Sequence, residues 1–197
     1  MKKFLLVLAV ALFSGTAFAQ YAGDVAFGFR GGLNYSSLSG EGLDDLESRL
    51  GFHGAFFADI HLSDKFVIAP ELGVSALGVN EQYRVSVDGS GLDVGDDLDA
   101  KTNWLQLTLL AKLNLGEKLY LMAGPQAGVN VTQNDNNDYY NYDFAAVAGL
   151  GYRFNGSWSV DVRYGYGLSN IYDRGLGDLS EANNRYFQLG VSYRIFN

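Results

Sequence analysis

The chain has no cysteine, two prolines and two histidines. Without thiols there is no disulfide framework and no Cys-ligated zinc or iron–sulfur site. Two histidines are too few for a His-rich metal site. Charge is also sparse, at 18% of residues, and the balance is −8, whereas a nucleic-acid partner would want a basic face. Low charge beside 48% hydrophobic residues excludes a disordered chain. What is abundant is glycine, tyrosine and phenylalanine, at 25, 13 and 13 residues. The glycines follow no three-residue period, which excludes collagen. Together with the aromatics they point to an all-β chain of one domain.

Residues 1–19 read as an export signal. Lys2 and Lys3 form a basic start, Phe4 to Phe13 is unbroken and apolar, and Ala17-Phe18-Ala19 gives a small–x–small cleavage site. The run is too short to span a bilayer, which takes about 20 residues, and no later stretch approaches that length. The mature domain is expected at 20–197. Loss of Lys2 and Lys3 takes the formal charge from −8 to −10.

The remainder alternates with period two in eight runs, which is the pattern of half-buried strands. They lie at about 25–35, 51–62, 66–77, 103–115, 119–131, 143–154, 158–169 and 186–196. The clearest sets Trp158, Val160, Val162, Tyr164, Tyr166 and Leu168 against Ser159, Asp161, Arg163, Gly165, Gly167 and Ser169. The connections alternate in length. Ser63-Asp64-Lys65, Gly116-Glu117-Lys118 and Asn155-Gly156-Ser157 are tight turns; 36–50, 78–102, 132–142 and 170–185 are long. Short turns on one side and long loops on the other predict an eight-stranded antiparallel up-and-down transmembrane β-barrel. Both termini are then expected on the periplasmic, short-turn side.

Three features orient the apolar face toward lipid rather than into a soluble core. No apolar-face position carries a charge, as hydrocarbon demands. The opposite face is rich in Gly, Ser and Ala, where a wetted surface would carry many Lys and Glu. It also carries both signs: Arg30, Lys112, Arg153, Arg163 and Arg194 against Asp59, Glu71 and Asp161. Charges removed from water need partners, so these eight are expected to form an ion-pair network in a narrow lumen filled by side chains. Aromatic girdles are expected from Trp158, Tyr152, Phe154 and Tyr193 at the short-turn end, and from Tyr35, Phe52 and Phe187 at the other.

The segments FGFRGGLNYS (27–36), LYLMAGPQAGV (119–129), DFAAVAGLGYRF (143–154), DVRYGYGLSNI (161–171) and FQLGVSYRIF (187–196) resemble those of PorT-like outer-membrane β-barrel proteins of Gram-negative bacteria. That resemblance implies the outer membrane, with its lipids as surroundings, and insertion by the barrel-assembly machinery. The C-terminal assembly signal of such barrels is polar-x-Gly-x-x-aromatic-x-hydrophobic, which Gln188, Gly190, Tyr193 and Ile195 match. The usual terminal Phe is displaced, since Asn197 follows Phe196. No secretion role is carried over.

The long loops hold most of the acid, including Glu41, Asp44, Asp45 and Glu47, then Glu81, Asp88, Asp93, Asp96, Asp97 and Asp99. A solvated outer rim is preferred to Ca²⁺ or Mg²⁺ bridging, because Asp93 to Asp99 lacks the Gly and closing Glu of a calcium loop. Loop strands around 80–88 and 100–104 would offer an edge to an extracellular or envelope protein. His53 and His61 fall on the lumen face, where either would serve as a base near Ser75 or Asp59 in a lipid-modifying enzyme. Nothing in the sequence sets a Ser beside a His, so plugging hydrogen bonds are expected instead. Pro70 and Pro125 each remove a ladder donor, and a local bulge is expected at each. No catalytic, cofactor-binding or metal-ligating set is assigned. The reading is a non-enzymatic barrel with a structural or surface-interaction role. The alternatives are a small-solute pore, a lipid-modifying enzyme and a soluble lipocalin-like carrier.

Overall fold

The computed structural model describes residues 25–39, 48–83, 98–132, 142–168 and 183–196. They form eight strands: β1 (Val25–Ser39), β2 (Arg49–His61), β3 (Phe66–Tyr83), β4 (Leu98–Asn114), β5 (Leu119–Asn130), β6 (Tyr142–Arg153), β7 (Trp158–Gly167) and β8 (Asn183–Phe196). Each pairs antiparallel with the next, and β1 pairs with β8, so the sheet is a closed barrel. Closure satisfies the backbone groups that an open edge would leave bare in hydrocarbon. The eight predicted runs each coincide with a strand. The expected export signal and most of the loop acids lie outside the described residues.

Alternation becomes two surfaces. On β2, Phe52 and Phe56 are each 72% exposed, while the interleaved His53 and Phe57 are buried. The same outward set includes Phe27, Phe29, Leu33, Leu107, Leu109, Phe144, Leu150, Val162, Leu189 and Val191. No second layer of protein covers these side chains among the described residues, and leaving them in water would cost about 25 cal/mol per Å² of apolar surface. The girdle positions Tyr35, Phe52, Phe154, Trp158 and Phe187 are all exposed. Trp158 and Tyr193 touch at the short-turn end with ring centroids 4.8 Å apart, and Tyr193 meets Phe29 at 5.6 Å.

The tight turns are held locally. The Oδ1 of Asn155 accepts from the amides of Ser157 and Trp158 at 2.9 and 2.8 Å. Gly116 takes φ +153°, which an L side chain rarely adopts.

One expectation is extended and one corrected. First, β3 and β4 run on beyond the predicted barrel runs, into the loop strands expected around 80–88 and 100–104, pairing Gln82 with Asp99 and Tyr83 with Leu98 after a register shift between Gly78 and Gln82; residues 84–88 lie outside the described residues. β3 has 18 residues, well beyond the 9–11 or so that cross a bilayer. Its end therefore stands clear of the apolar band, with β4 as its partner. Second, the prolines cause no bulge. The β2–β3 ladder passes from Phe57↔Glu71 to Ile60↔Ile68, and the β4–β5 ladder from Thr108↔Gln126 to Ala111↔Ala123, each skipping its proline with register unchanged. The missing N–H opens a gap in the ladder without inserting a residue. The register shift within β1–β8 lies instead at Phe27/Gly28.

Candidate functional site in the barrel lumen

The inward side chains are stacked in layers along the barrel. Along the β3–β4 ladder, from the short turn upward, the inward pairs are Val67/Lys112, Ala69/Leu110, Glu71/Thr108, Gly73/Gln106, Ser75/Trp104 and Leu77/Thr102. Charge, grease, charge and grease follow one another.

The lowest layer is Asp59. Its Oδ1 accepts from Lys112 Nζ at 2.7 Å and its Oδ2 from Arg194 Nη2 at 3.0 Å. The Lys112 ammonium also sits 5.1 Å from the Phe57 ring centre and 5.8 Å from that of Tyr120. Arg153 is placed differently from expectation. It donates from Nη2 to Asn114 Oδ1 at 2.7 Å and stacks 4.7 Å over Tyr120, and its Nε has no hydrogen-bond partner among the described residues. Asp59 is already bonded to two cations, and Arg153 bonds a neutral amide.

Above it Ala69, Leu110, Tyr120, Met122 and Val147 form an apolar septum. The central layer follows. Arg163 on β7 donates through both Nη atoms to the two carboxylate oxygens of Glu71 on β3, at 2.5 and 2.9 Å. β3 and β7 lie four strands apart in a ring of eight, so this fork crosses the full lumen. Arg163 Nε and Arg30 Nη2 both donate to Asp161 Oδ1 at 2.7 Å, and Arg30 Nη1 reaches Gln188 Oε1 at 3.2 Å. All four charged side chains are at most 4% exposed. Bidentate guanidinium–carboxylate geometry is the arrangement that best offsets the cost of removing these charges from water.

Next come His53, Asn34 and Ser75. Asn34 Nδ2 donates to Ser75 Oγ at 2.7 Å, and Asn34 Oδ1 lies 2.8 Å from His53 Nδ1. A second apolar septum, of Leu77, Trp104 and Tyr186, lies toward the long-loop end. Its polar atoms are satisfied: Trp104 Nε1 donates to Thr102 Oγ1 at 2.8 Å, and the Tyr186 hydroxyl to Gln126 Oε1 at 2.9 Å.

The septa were not anticipated. A lumen of small and polar residues is expected, but among the described residues nine large apolar or aromatic side chains point in: Phe57, Val67, Leu77, Trp104, Leu110, Tyr120, Met122, Val147 and Tyr186. Two runs carried the sign. Leu109-Leu110 and Leu119-Tyr120-Leu121-Met122 are apolar on both faces, which an apolar-out, polar-in strand is not. Room comes from glycines on neighbouring strands. A Cβ at Gly151 would overlap the Tyr120 ring, one at Gly165 the Tyr186 ring, one at Gly28 the Phe57 ring and one at Gly190 the Arg30 guanidinium. Of the assembly-signal positions, Gln188 and Gly190 face inward into the Arg30 contact, whereas Tyr193 and Ile195 face outward.

Residues 18–173 match the outer membrane protein beta-barrel domain family. The chain belongs to that family. Its place is therefore the outer membrane, and the apolar outer face is the lipid-facing one. No curated protein matches the chain. Among solved structures, this outer membrane barrel is similar to Ail of Yersinia pestis, at 16% identity over 87% of this chain and 99% of that one, with a TM-score of 0.49. It is similar to the neisserial surface protein NspA at 10% identity over 87% and 99%, TM-score 0.49, and to OprG of Pseudomonas aeruginosa at 14% over 87% and 96%, TM-score 0.41.

Proposed function

We propose that this outer membrane barrel is a closed, non-enzymatic scaffold that presents its long loops at the cell surface, in a structural or surface-interaction role. The observation that carries the reading is the Arg163–Glu71 fork, which joins opposite walls at mid-lumen with apolar septa above and below. A solute would have to break a buried charge pair and pass both septa. The loops are rich in acid, and a partner protein that binds them would present basic residues. Within the family, the motifs quoted above favour the PorT-like branch.

The non-enzymatic part rests on Ser75. A serine nucleophile needs a base to take its proton. Here the amide of Asn34 donates to Ser75 Oγ, and Asn34 stands between Ser75 and His53.

Conductance tests the closed lumen. The mature protein, refolded and inserted in a planar bilayer, is expected to carry no steady current. Stable unitary steps from the wild-type chain would favour the small-solute pore.

A further inference from the structure

We propose that the lumen holds one structural water, bound by Nε2 of His53 in a polar chamber between the central charge layer and the upper septum. The amide of Asn34 sets the tautomer of His53. Its Nδ2 lies 3.2 Å from both the Phe52 and Ala76 carbonyl oxygens, which only accept, so that end is the NH₂. The other end is therefore Oδ1, also an acceptor, 2.8 Å from His53 Nδ1. Nδ1 must carry the hydrogen, and Nε2 is left as the acceptor of a neutral ring. His53 is 8% exposed, and Nε2 has no partner among the described residues. Buried acceptors are satisfied by protein or by water.

Space and chemistry agree on the ligand. His53 lines a chamber with Glu71, Gln106, Thr108, Gln126 and Gln188, and the volume swept there by a water-sized sphere is about 20 Å³. A water needs about 10–15 Å³ by this measure and two to four polar partners. One water fits; a solute of several heavy atoms does not. Its hydrogens would go to Nε2 and to one of the lining carboxylate, carbonyl or hydroxyl oxygens. The water would complete a polar layer that rests, for its isolation, on the closed-lumen reading.

The test uses the mature chain in lipid vesicles, with ¹⁵N-labelled histidine and His61→Gln to leave one imidazole. Solid-state NMR should show a single tautomer, with hydrogen on Nδ1, a bare Nε2, and magnetisation transfer from water protons to Nε2. The Nδ1 hydrogen should exchange into D₂O about a hundredfold more slowly than in free histidine. Asn34→Leu should remove the lock and give a mixture of tautomers. Hydrogen on Nε2, or no transfer from water, overturns the site. A barrel that conducts yet keeps this signature overturns the closed lumen alone, and a silent barrel without the signature overturns the site alone.

Discussion

The two faces of this wall obey different kinds of rule. On the lipid face Phe29, Phe56, Leu109 and Val162 need only be apolar; what stands beside them matters little. On the lumen face the large groups depend on named counterparts, one across the barrel and the others on the same or the neighbouring strand. Arg163 requires Glu71 and Asp161, Tyr186 requires the bare backbone of Gly165, and Tyr120 requires Gly151. The outer rule concerns single residues and the inner rule concerns pairs. The difference follows from the surroundings. Lipid tails rearrange around any apolar shape, whereas a lumen ringed by only eight strands leaves inward side chains little room to absorb a mismatch.

The strongest way to break this contrast is at Asp161. Its carboxylate accepts from both Arg30 and Arg163. Asp161→Ala would leave two buried guanidiniums short of a partner, and a loss of about 3–5 kcal/mol is expected. Urea unfolding of the protein in lipid vesicles would report it as a lower midpoint at unchanged slope. A loss under about 1 kcal/mol would mean that water reaches the central layer and the pairing rule is relaxed there. On the outer face the corresponding injury is a charge placed in lipid. Gly31 faces outward in mid-strand, where a Cβ would meet nothing closer than the His53 carbonyl oxygen at 3.8 Å, and Gly31→Arg should cost about 2–4 kcal/mol by the same measurement. A smaller third effect returns to the lumen. Gly165→Ala adds one methyl group against the Tyr186 ring and should cost about 1–3 kcal/mol through overpacking. Gly165→Ala with Tyr186→Phe should still be destabilised, because the ring carbons would overlap the added methyl even without the hydroxyl.

The same contrast explains what could be read before any coordinates. Period two, uncharged outer positions and the alternation of turn lengths are properties of single residues and short spans. They gave eight strands, the closed antiparallel order and the orientation of the apolar face. The charged lumen residues were also legible as a set, because Arg163 or Asp161 on a strand otherwise bound for lipid has nowhere else to point. Their pairing was not legible. That Glu71 meets Arg163, and that Arg153 turns to Asn114 and Tyr120, depends on tilt and register around the whole ring. The septa were hidden because Leu110, Tyr120 and Met122 satisfy the single-residue rule on either face. At Pro70 and Pro125 the missing donor was legible; whether the chain would bulge or skip a bond was not, since the neighbouring strands decide it.

The finest test compares two alanines. Gly54 lies opposite Gly31 across β1 and β2, and both face lipid. A Cβ on Gly54 would come no nearer than 3.9 Å to its closest neighbour, the Arg30 carbonyl oxygen, and one on Gly31 would lie 3.8 Å from the His53 carbonyl oxygen. Neither contact is tight. Gly54→Ala adds apolar surface where only acyl chains touch it, so stability should move by no more than about 0.5 kcal/mol. Set beside Gly165→Ala, the chemical change is identical and only the face differs. Equal losses at the two positions would mean that something less yielding than lipid, a second copy of the barrel for example, is packed against β1 and β2. A near-neutral Gly54→Ala beside a costly Gly165→Ala would instead leave the outer face bounded by lipid alone, with the crowding confined to the lumen.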